Sequence, residues 1–485
     1  MDQPLILTCT SGEFPEQDCA CPDGGFEPLT PHTMDTFAAW QIAPRLYRAP
    51  LPERHQLVFN PAGFSNVVVL NTPAQNILDA FALPQRLDSV LPSAPVSSPE
   101  HANAVRSLMA LGLIRPTDAP ASIIRSRVKT LTAWLHVTNA CNLRCTYCYI
   151  HKTNHAMTEE IGRAAVDAVF RSAVRHRFQA VKLKYAGGEA TLNFDLVRTL
   201  HAHARARKTE SGLELREVVL SNGVTLTRAM IEFLRDENIR LMISLDGVGA
   251  AHDKQRVFAS GRGSFSSVAH AIDRAITNGL SPHLSITVTA HNADTLTDAV
   301  HFAIDRDLPF NLNFYRENQC ATPHTELAAA QARLVAGMQA AFAVIETRLP
   351  KRRLIDGLMD RSSFAEPHEY ACGAGHNYMV IDERGGVARC QMEIERPLTS
   401  VMAEDPLAHL RNHRRGFQNV PVTEKEGCKN CEWRFWCAGG CALLTWRATG
   451  RTDVQSPYCN VYHALYPQVV RLEGLRLLKY AAMNA

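Results

Sequence analysis

The chain has 485 residues, of which 20% are charged and 46% hydrophobic, and a formal net charge of +3. That length predicts two to four domains with ample material for a core, and so small a charge excess, with no basic stripe, argues against a nucleic-acid partner. The start, Met1-Asp-Gln-Pro-Leu-Ile-Leu-Thr-Cys9, lacks the basic region and long apolar core of a signal peptide, and no later run is long enough to span a bilayer. A cytoplasmic protein without a membrane partner is therefore expected. In a reducing compartment, 14 cysteines at regular spacings point to metal or catalysis rather than disulfides.

Residues 1–41 hold Cys9, Cys19 and Cys21 among Pro, Gly, Asp and Glu with no sustained period, and read as an irregular segment with free or redox-labile thiols, a metal site being the other possibility. Residues 42–120 read as a small α+β domain. Gln56–Phe59 and Val67–Leu70 flank Asn60-Pro-Ala-Gly63 as a hairpin. Thr72 is expected to cap a helix with Pro73 at its first position, and a second helix from about Pro99 stops at Gly112. This order resembles the winged-helix-like peptide chaperone of pyrroloquinoline quinone biosynthesis, the PqqD-like RiPP recognition element. That resemblance implies a leader peptide added as a strand to an exposed sheet edge; a generic small domain packed on the enzyme is the alternative.

The chain is organised around Thr138-Asn-Ala-Cys141-Asn-Leu-Arg-Cys145-Thr-Tyr-Cys148-Tyr149. A closed zinc site wants four ligands, usually in two pairs, and this loop offers three. Three thiolates on a four-iron cluster leave one iron open for a substrate or cofactor. The C-x3-C-x2-C spacing, with Tyr147 before the last cysteine, resembles the signature of the radical S-adenosylmethionine (SAM) superfamily. The resemblance implies a 4Fe-4S cluster on Cys141, Cys145 and Cys148 that chelates SAM, with Tyr147 near the adenine, and chemistry that begins from a 5′-deoxyadenosyl radical.

From 131 to 318 the pattern alternates strand and helix six times, which predicts a parallel sheet and a partial (βα)6 TIM barrel with its site at the carboxyl ends of the strands. Residues at those ends are the candidate SAM contacts. Gly187-Gly188-Glu189 follows the second strand, where glycines would let the backbone approach a ligand and the carboxylate would take an ammonium; the family resemblance assigns it the SAM amino group. Ser221-Asn222 and Ser244-Leu-Asp246 end the third and fourth strands and, with Arg256, resemble the family's ribose and carboxylate contacts. Ser244 and Arg256 are the candidates for the methionyl carboxylate, because a guanidinium forks onto a carboxylate. Residues 319–367 read as a helical bridge with Leu327, Leu334, Met338 and Phe342 on a core stripe.

Residues 368–485 carry Cys372, Cys390, Cys428, Cys431, Cys437, Cys441 and Cys459. A zinc ribbon would explain only the middle four. The whole pattern resembles the SPASM domain, whose ligand sets carry over as Cys372, Cys390 and Cys441 for a first auxiliary 4Fe-4S cluster and Cys428, Cys431, Cys437 and Cys459 for a second. The fourth position of the first is either open or supplied by Cys320. Together the resemblances imply an α/β enzyme, a radical SAM/SPASM maturase of oxidoreductase type. It would act on a precursor peptide or protein, forming a thioether or carbon–carbon cross-link, with a flavodoxin or ferredoxin as electron donor. Formylglycine formation, as in sulfatase maturases, is disfavoured because Gln391, not an aspartate, follows Cys390; a non-catalytic iron-sulfur peptide scaffold is the remaining alternative.

Overall fold

The computed structural model describes residues 3–8, 24–25, 38–61, 67–90, 99–118, 127–318, 320, 327–362, 364 and 367–481. Cys9, Cys19 and Cys21, and Ala62 and Gly63 of the Asn60–Gly63 turn, lie outside them.

The central unit runs β1 (Thr130–Thr138), α1 (Glu159–Arg175), β2 (Ala180–Gly187), α2 (Phe194–Ser211), β3 (Glu214–Ser221), α3 (Arg228–Asp236), β4 (Arg240–Ser244), α4 (Phe265–Thr277), β5 (His283–Val288), α5 (Leu296–Asp305) and β6 (Phe310–Phe314). These six strands lie in sequence order and pair in parallel throughout. β1 is buried along nearly its whole length, as expected for a parallel strand covered on both faces. The Thr158 hydroxyl caps α1 by accepting from Ile161 N at 3.3 Å, and Glu159 and Glu160 stand in the first turn, where the helix dipole favours them.

After β6, α6 (Gln331–Thr347) buries Leu334, Met338 and Phe342 as the stripe predicts, and Leu327 is buried ahead of it. The chain then returns to the sheet. β7 (Tyr378–Ile381) pairs parallel to β1 on its other side, and β8 (Gly386–Ala388) and β9 (Thr399–Ser400) continue antiparallel, giving nine strands with β6 and β9 as edges. A final helix, α7 (Cys459–Ala481), closes the C-terminal unit.

The N-terminal unit departs from the sequence reading in two places. Gln56–Phe59 and Val68–Leu70 form the expected antiparallel pair, but Tyr47–Pro50, which carried no strand expectation, pairs with Gln56–Phe59, and Ile6–Thr8 and Ala39–Ile42, from the segment expected to be irregular, also pair into sheets. Both carry apolar residues that have a core to enter: Trp40 is buried among Val68, Ile77, Leu78 and Leu108. The helix cap is Asn71 rather than Thr72. Its Oδ1 accepts from Ala74 N at 3.1 Å, the three-residue reach of a cap, and this places Pro73 in the first turn.

The sheet alternates faces with a period of two. Leu57, Phe59, Val67 and Val69 enter the main core, whereas Val58, Val68 and Leu70 face the two small helices. The main-core face is held by α7, where Gly474 lets the helix settle on Leu57 and Leu51; a Cβ there would stand 2.7 Å from Leu57 Cδ1. It is also held by an aromatic group in which Phe59 lies 4.8 Å from Trp436 and 5.6 Å from Trp433, and Trp436 Nε1 donates to Pro61 O at 2.9 Å. Beside it, Arg353 pairs with Asp356 at 2.8 Å and Arg476 with Glu473 at 2.9 Å, all four side chains buried. Because removing one partner leaves an uncompensated buried charge, Glu473→Ala is expected to lower stability by about 3–5 kcal/mol, read as a lower urea midpoint at unchanged m-value.

Candidate active site

The carboxyl ends of β1 to β6 open into one cavity of about 280 Å³. Cys141, Cys145, Tyr147 and Cys148 line it from the loop after β1, together with Gly187, Gly188 and Glu189 after β2, Ser221 and Asn222 after β3, Ser244 after β4, and Arg256. Of the residues expected to contact SAM, Asp246 alone does not line it.

Gly187 and Gly188 line the cavity and also admit a close approach by the cysteine loop. A Cβ on Gly187 would stand 2.1 Å from Thr138 O, and one on Gly188 would stand 2.2 Å from Ala140 O. The space is taken by the cysteine loop itself, which β2 grips through Gly188 N to Thr138 O at 2.7 Å and Glu189 N to Ala140 O at 2.9 Å. Gly187 also sits at φ 138°, in a region that favours glycine. Glu189 is buried, with Oε1 accepting from Thr191 N, Thr191 Oγ1 and Ser221 Oγ and Oε2 accepting from Asn222 N at 2.6 Å. Asn222 in turn donates from Nδ2 to Asn142 Oδ1 at 2.7 Å, tying β3 to the cysteine loop. Ser221 and Asn222 thus brace Glu189 and that loop.

Tyr147, Asp246 and Arg256 form a buried group on the opposite wall. The Tyr147 hydroxyl donates to Asp246 Oδ2 at 2.5 Å and accepts from Arg256 Nη1, and Arg256 stands 3.6 Å from Asp246. Asp246 is wholly enclosed, its Oδ1 taking Thr287 N at 2.8 Å, so its carboxylate serves Tyr147 and Arg256 from behind. Burial raises the Asp246 carboxyl, with Arg256 opposing it. Arg256 keeps one donor in reserve: its buried Nε has no hydrogen-bond partner among the described residues.

Sequence reading passed over His252. It is buried, accepts from Asp246 N at Nδ1 (3.3 Å) and faces Ser264 Oγ at Nε2 (3.0 Å), and Ser264 donates to Arg256 O at 2.6 Å. This relay fixes the Arg256 backbone. Also missed were Ser285, Thr287, Asn311 and Asn313, which line the cavity from β5 and β6. The alternation in Leu-Ser-Ile-Thr-Val and Phe-Asn-Leu-Asn-Phe marks a polar inner face and was there to be read. Arg361, from the bridge, carried no such signal. It lines the cavity, has a left-handed backbone (φ 53°), and stands among Cys372, Cys390 and Cys441.

The C-terminal cysteines fall into two neighbourhoods. Cys390 feels Cys441 and Cys372, whereas Cys428 feels Cys437, Cys459 and Cys431. Burial pushes Cys145, Cys390 and Cys428 each up to about 12. Burial acts on Cys441 in the same sense, but Arg316 and Arg361 outweigh it and the thiol ends below its ordinary value. Cys320 sits elsewhere, donating to Glu395 Oε1 at 3.4 Å within reach of Cys148 and Lys152. Among the described residues no three His, Cys, Asp or Glu converge as one metal ion would need; an iron-sulfur cluster spreads its thiolates over separate irons. The cysteine loop, the carboxylate of Glu189 and the Arg256 side chain, all on one cavity, suit a cluster and an amino-acid-bearing ligand.

Residues 135–303 match the family model described as Radical SAM superfamily. They form a radical SAM domain. The chain is an enzyme, and the cofactors of that superfamily are a 4Fe-4S cluster and SAM. The Fe-coproporphyrin III synthase of Methanosarcina barkeri is 29% identical over 37% of this chain and 45% of its own length. The cysteine-type anaerobic sulfatase-maturating enzyme of Clostridium novyi is 23% identical over 62% and 84%, and the PqqA peptide cyclase of Bradyrhizobium diazoefficiens is 24% identical over 68% and 86%. The chain thus spans less than half of the first of these relatives and most of the other two. A solved structure, native anSMEcpe with bound AdoMet and Cp18Cys peptide, superposes with a TM-score of 0.58 at 18% identity over 72% of this chain and 98% of that one, a likeness of fold.

Two measurements test this geometry. Gly188→Ala forces backbone off Ala140 O, and the displaced cysteine loop is expected to cut SAM cleavage roughly 100-fold with unchanged far-UV circular dichroism. His252 is held neutral because burial, aided by Arg256, lowers its pKa to about 3. The unfolded chain takes this proton near pH 6.5 and the folded chain only near 3, so this contribution to stability is complete above pH 6.5 and is lost as the pH falls. Between pH 7.5 and 5.5 the urea midpoint of the wild type is expected to fall more steeply than that of His252→Asn.

Proposed function

We propose that the chain is a radical SAM enzyme that modifies a ribosomal peptide or protein, by thioether or carbon–carbon cross-link formation. The observation that carries this reading is the single cavity that joins the cysteine loop, Glu189 and Arg256 on one side to Arg361, Gln391 and Met392 on the other. The second wall leads to Cys372, Cys390 and Cys441.

In this reading Cys141, Cys145 and Cys148 hold the cluster, Glu189 takes the amino group of SAM, and Arg256, with Ser244 on the same cavity, takes the carboxylate. When bound, the cluster and SAM supply a 5′-deoxyadenosyl radical that removes a hydrogen atom from substrate. Tyr147 and Asp246 hold the guanidinium in place, and the polar faces of β5 and β6 orient the substrate backbone. Cys372, Cys390 and Cys441 hold a first auxiliary cluster and Cys428, Cys431, Cys437 and Cys459 a second. Cys320 is engaged with Glu395, which supports a first auxiliary cluster held by Cys372, Cys390 and Cys441 without it. A flavodoxin or ferredoxin delivers the electron. Relatives named as a peptide cyclase and as sulfatase-maturating enzymes support a peptide or protein substrate.

Gln391 argues against formylglycine formation. Its Oε1 faces the Tyr378 hydroxyl at 3.2 Å, and an amide there accepts no proton at neutral pH.

Anaerobic reconstitution, iron counting and a chromatographic assay for 5′-deoxyadenosine test the reading, wild type against Cys145→Ala. About twelve irons per chain are expected, and cleavage is lost in the variant. A neighbouring small open reading frame would then supply a peptide in which a mass loss of two hydrogens reports a cross-link. About four irons would remove the auxiliary clusters, and full loading without cleavage under several reductants would leave a scaffold.

A further inference from the structure

The recognition-domain resemblance implies an open sheet edge, and the structure shows that edge covered. Val68–Leu70, whose three side chains are fully buried, would be the edge of the N-terminal sheet were Ile6–Thr8 not laid along it. The added strand runs antiparallel, with Ile6 opposite Leu70, Leu7 opposite Val69 and Thr8 opposite Val68. Asn71 clamps its approach: Oδ1 accepts from Leu5 N at 2.9 Å, Nδ2 donates to Gln3 O at 2.8 Å, and the backbone N–H donates to Leu5 O at 3.3 Å. Ile6 packs on the small core around Val68 and Leu70, and Leu7 on the main core.

This covering strand is short and nowhere fully buried. It contributes three residues, each half-buried, against the fully buried strand beneath it. Beyond the Asn71 clamp, it is held by main-chain hydrogen bonds and by two apolar side chains, and it lies against α7, contacts that an extended segment of similar character reproduces pair for pair. The other edges of this unit are poorer templates. Tyr47–Pro50 ends on a proline and packs its tyrosine 5.4 Å from Trp433, Ile114–Pro116 also ends on a proline, and Gln85–Arg86 is two residues long.

We propose that Ile6–Thr8 is an exchangeable strand seated on a peptide-docking edge. The edge of Val68–Leu70 accepts an extended segment of the substrate peptide with apolar residues at two successive positions, one for each core, and residues 3–8 compete for it. Being tethered, the competitor acts at a high effective concentration. Only a segment that pairs further along the edge, or fills the two apolar positions better, displaces it. This inference rests on the peptide-modifying reading, but the exchange is measured without any substrate.

The probe is a fluorescent synthetic peptide of residues 2–8, amidated at its end. Its anisotropy is followed against the reconstituted full chain, a chain beginning at Thr10, and the full chain carrying Leu7→Asp, which puts a carboxylate on the main-core face of the strand. Both altered chains are expected to bind the probe about 100-fold tighter than wild type, and Leu7→Asp in the probe is expected to abolish binding. Equal binding to all three chains would place the probe outside Ile6–Thr8 and overturn the proposal, as would no binding to altered chains whose circular dichroism and melting match wild type. Hydrogen exchange on the unaltered chain covers the case in which the variants misfold: excess unlabelled peptide is expected to speed exchange at the Leu7 and Thr8 amides, and unchanged rates reject the proposal. A negative result here leaves the reaction itself to be judged by the cross-linked product.

Discussion

The contact on which the site depends is backbone against backbone. Gly187 and Gly188 press into the carbonyls of Thr138 and Ala140 at distances that admit no Cβ, and two hydrogen bonds lock the turn after β2 to the loop after β1. A cysteine loop is long and irregular, and its shape is decided by what holds it; here Asn142, Arg144 and Thr146 also share backbone hydrogen bonds with Ala259, Val257 and Gln255. Fixed at its start by this grip and braced by Asn222 through Asn142, it presents Cys141, Cys145 and Cys148 to a cavity whose other walls are strand ends. The same turn carries Glu189 inward, so one pair of glycines sets both the cysteine loop and the carboxylate.

Much of this was legible in the sequence because the signals were local. Thr158, with Glu159 and Glu160 after it, marks the start of α1, and the 240–244 and 310–314 strands fall where their apolar runs predict. The cysteine spacings named the chemistry, since ligand spacing is set by the cluster and not by the fold around it. What escaped was set by tertiary contact. Asp246 and Ser244 stand two residues apart at one strand end, yet only Ser244 reaches the cavity, because Tyr147 from a distant loop claims the Asp246 carboxylate. Ile6–Thr8 gave no strand signal, since three residues show no period and their pairing is decided by Val68–Leu70 some sixty positions later. Arg361 lies on a stretch whose only constraint is the pair of neighbourhoods it joins.

The charges of the cavity wall follow one logic. Lys152, Arg256, Arg316 and Arg361 line it and Glu189 is the one carboxylate among the lining residues, with both its oxygens engaged. Thiols buried as Cys145 and Cys390 are resist ionisation, and a thiolate there needs nearby positive charge, from a bound metal centre or from guanidinium groups. Arg316 and Arg361 already bring Cys441 below its ordinary value without any metal. The basic residues thus favour the anionic form of the thiols they face.

The sheet that begins at β6 does not end at β1. It passes through β1 into β7, β8 and β9, so the strands that lead to Cys372 and Cys390 belong to the same hydrogen-bonded surface as those that carry the cysteine loop. The separation between the cysteine-loop end of the cavity and the C-terminal cysteines is therefore set by strand spacing, not by a linker. A chimera that exchanged the C-terminal unit at the bridge would cut this surface and leave β1 with an unpaired side. The natural unit of exchange between such enzymes is the whole sheet with both its cysteine regions, while the loops around the cavity remain free to vary with the substrate.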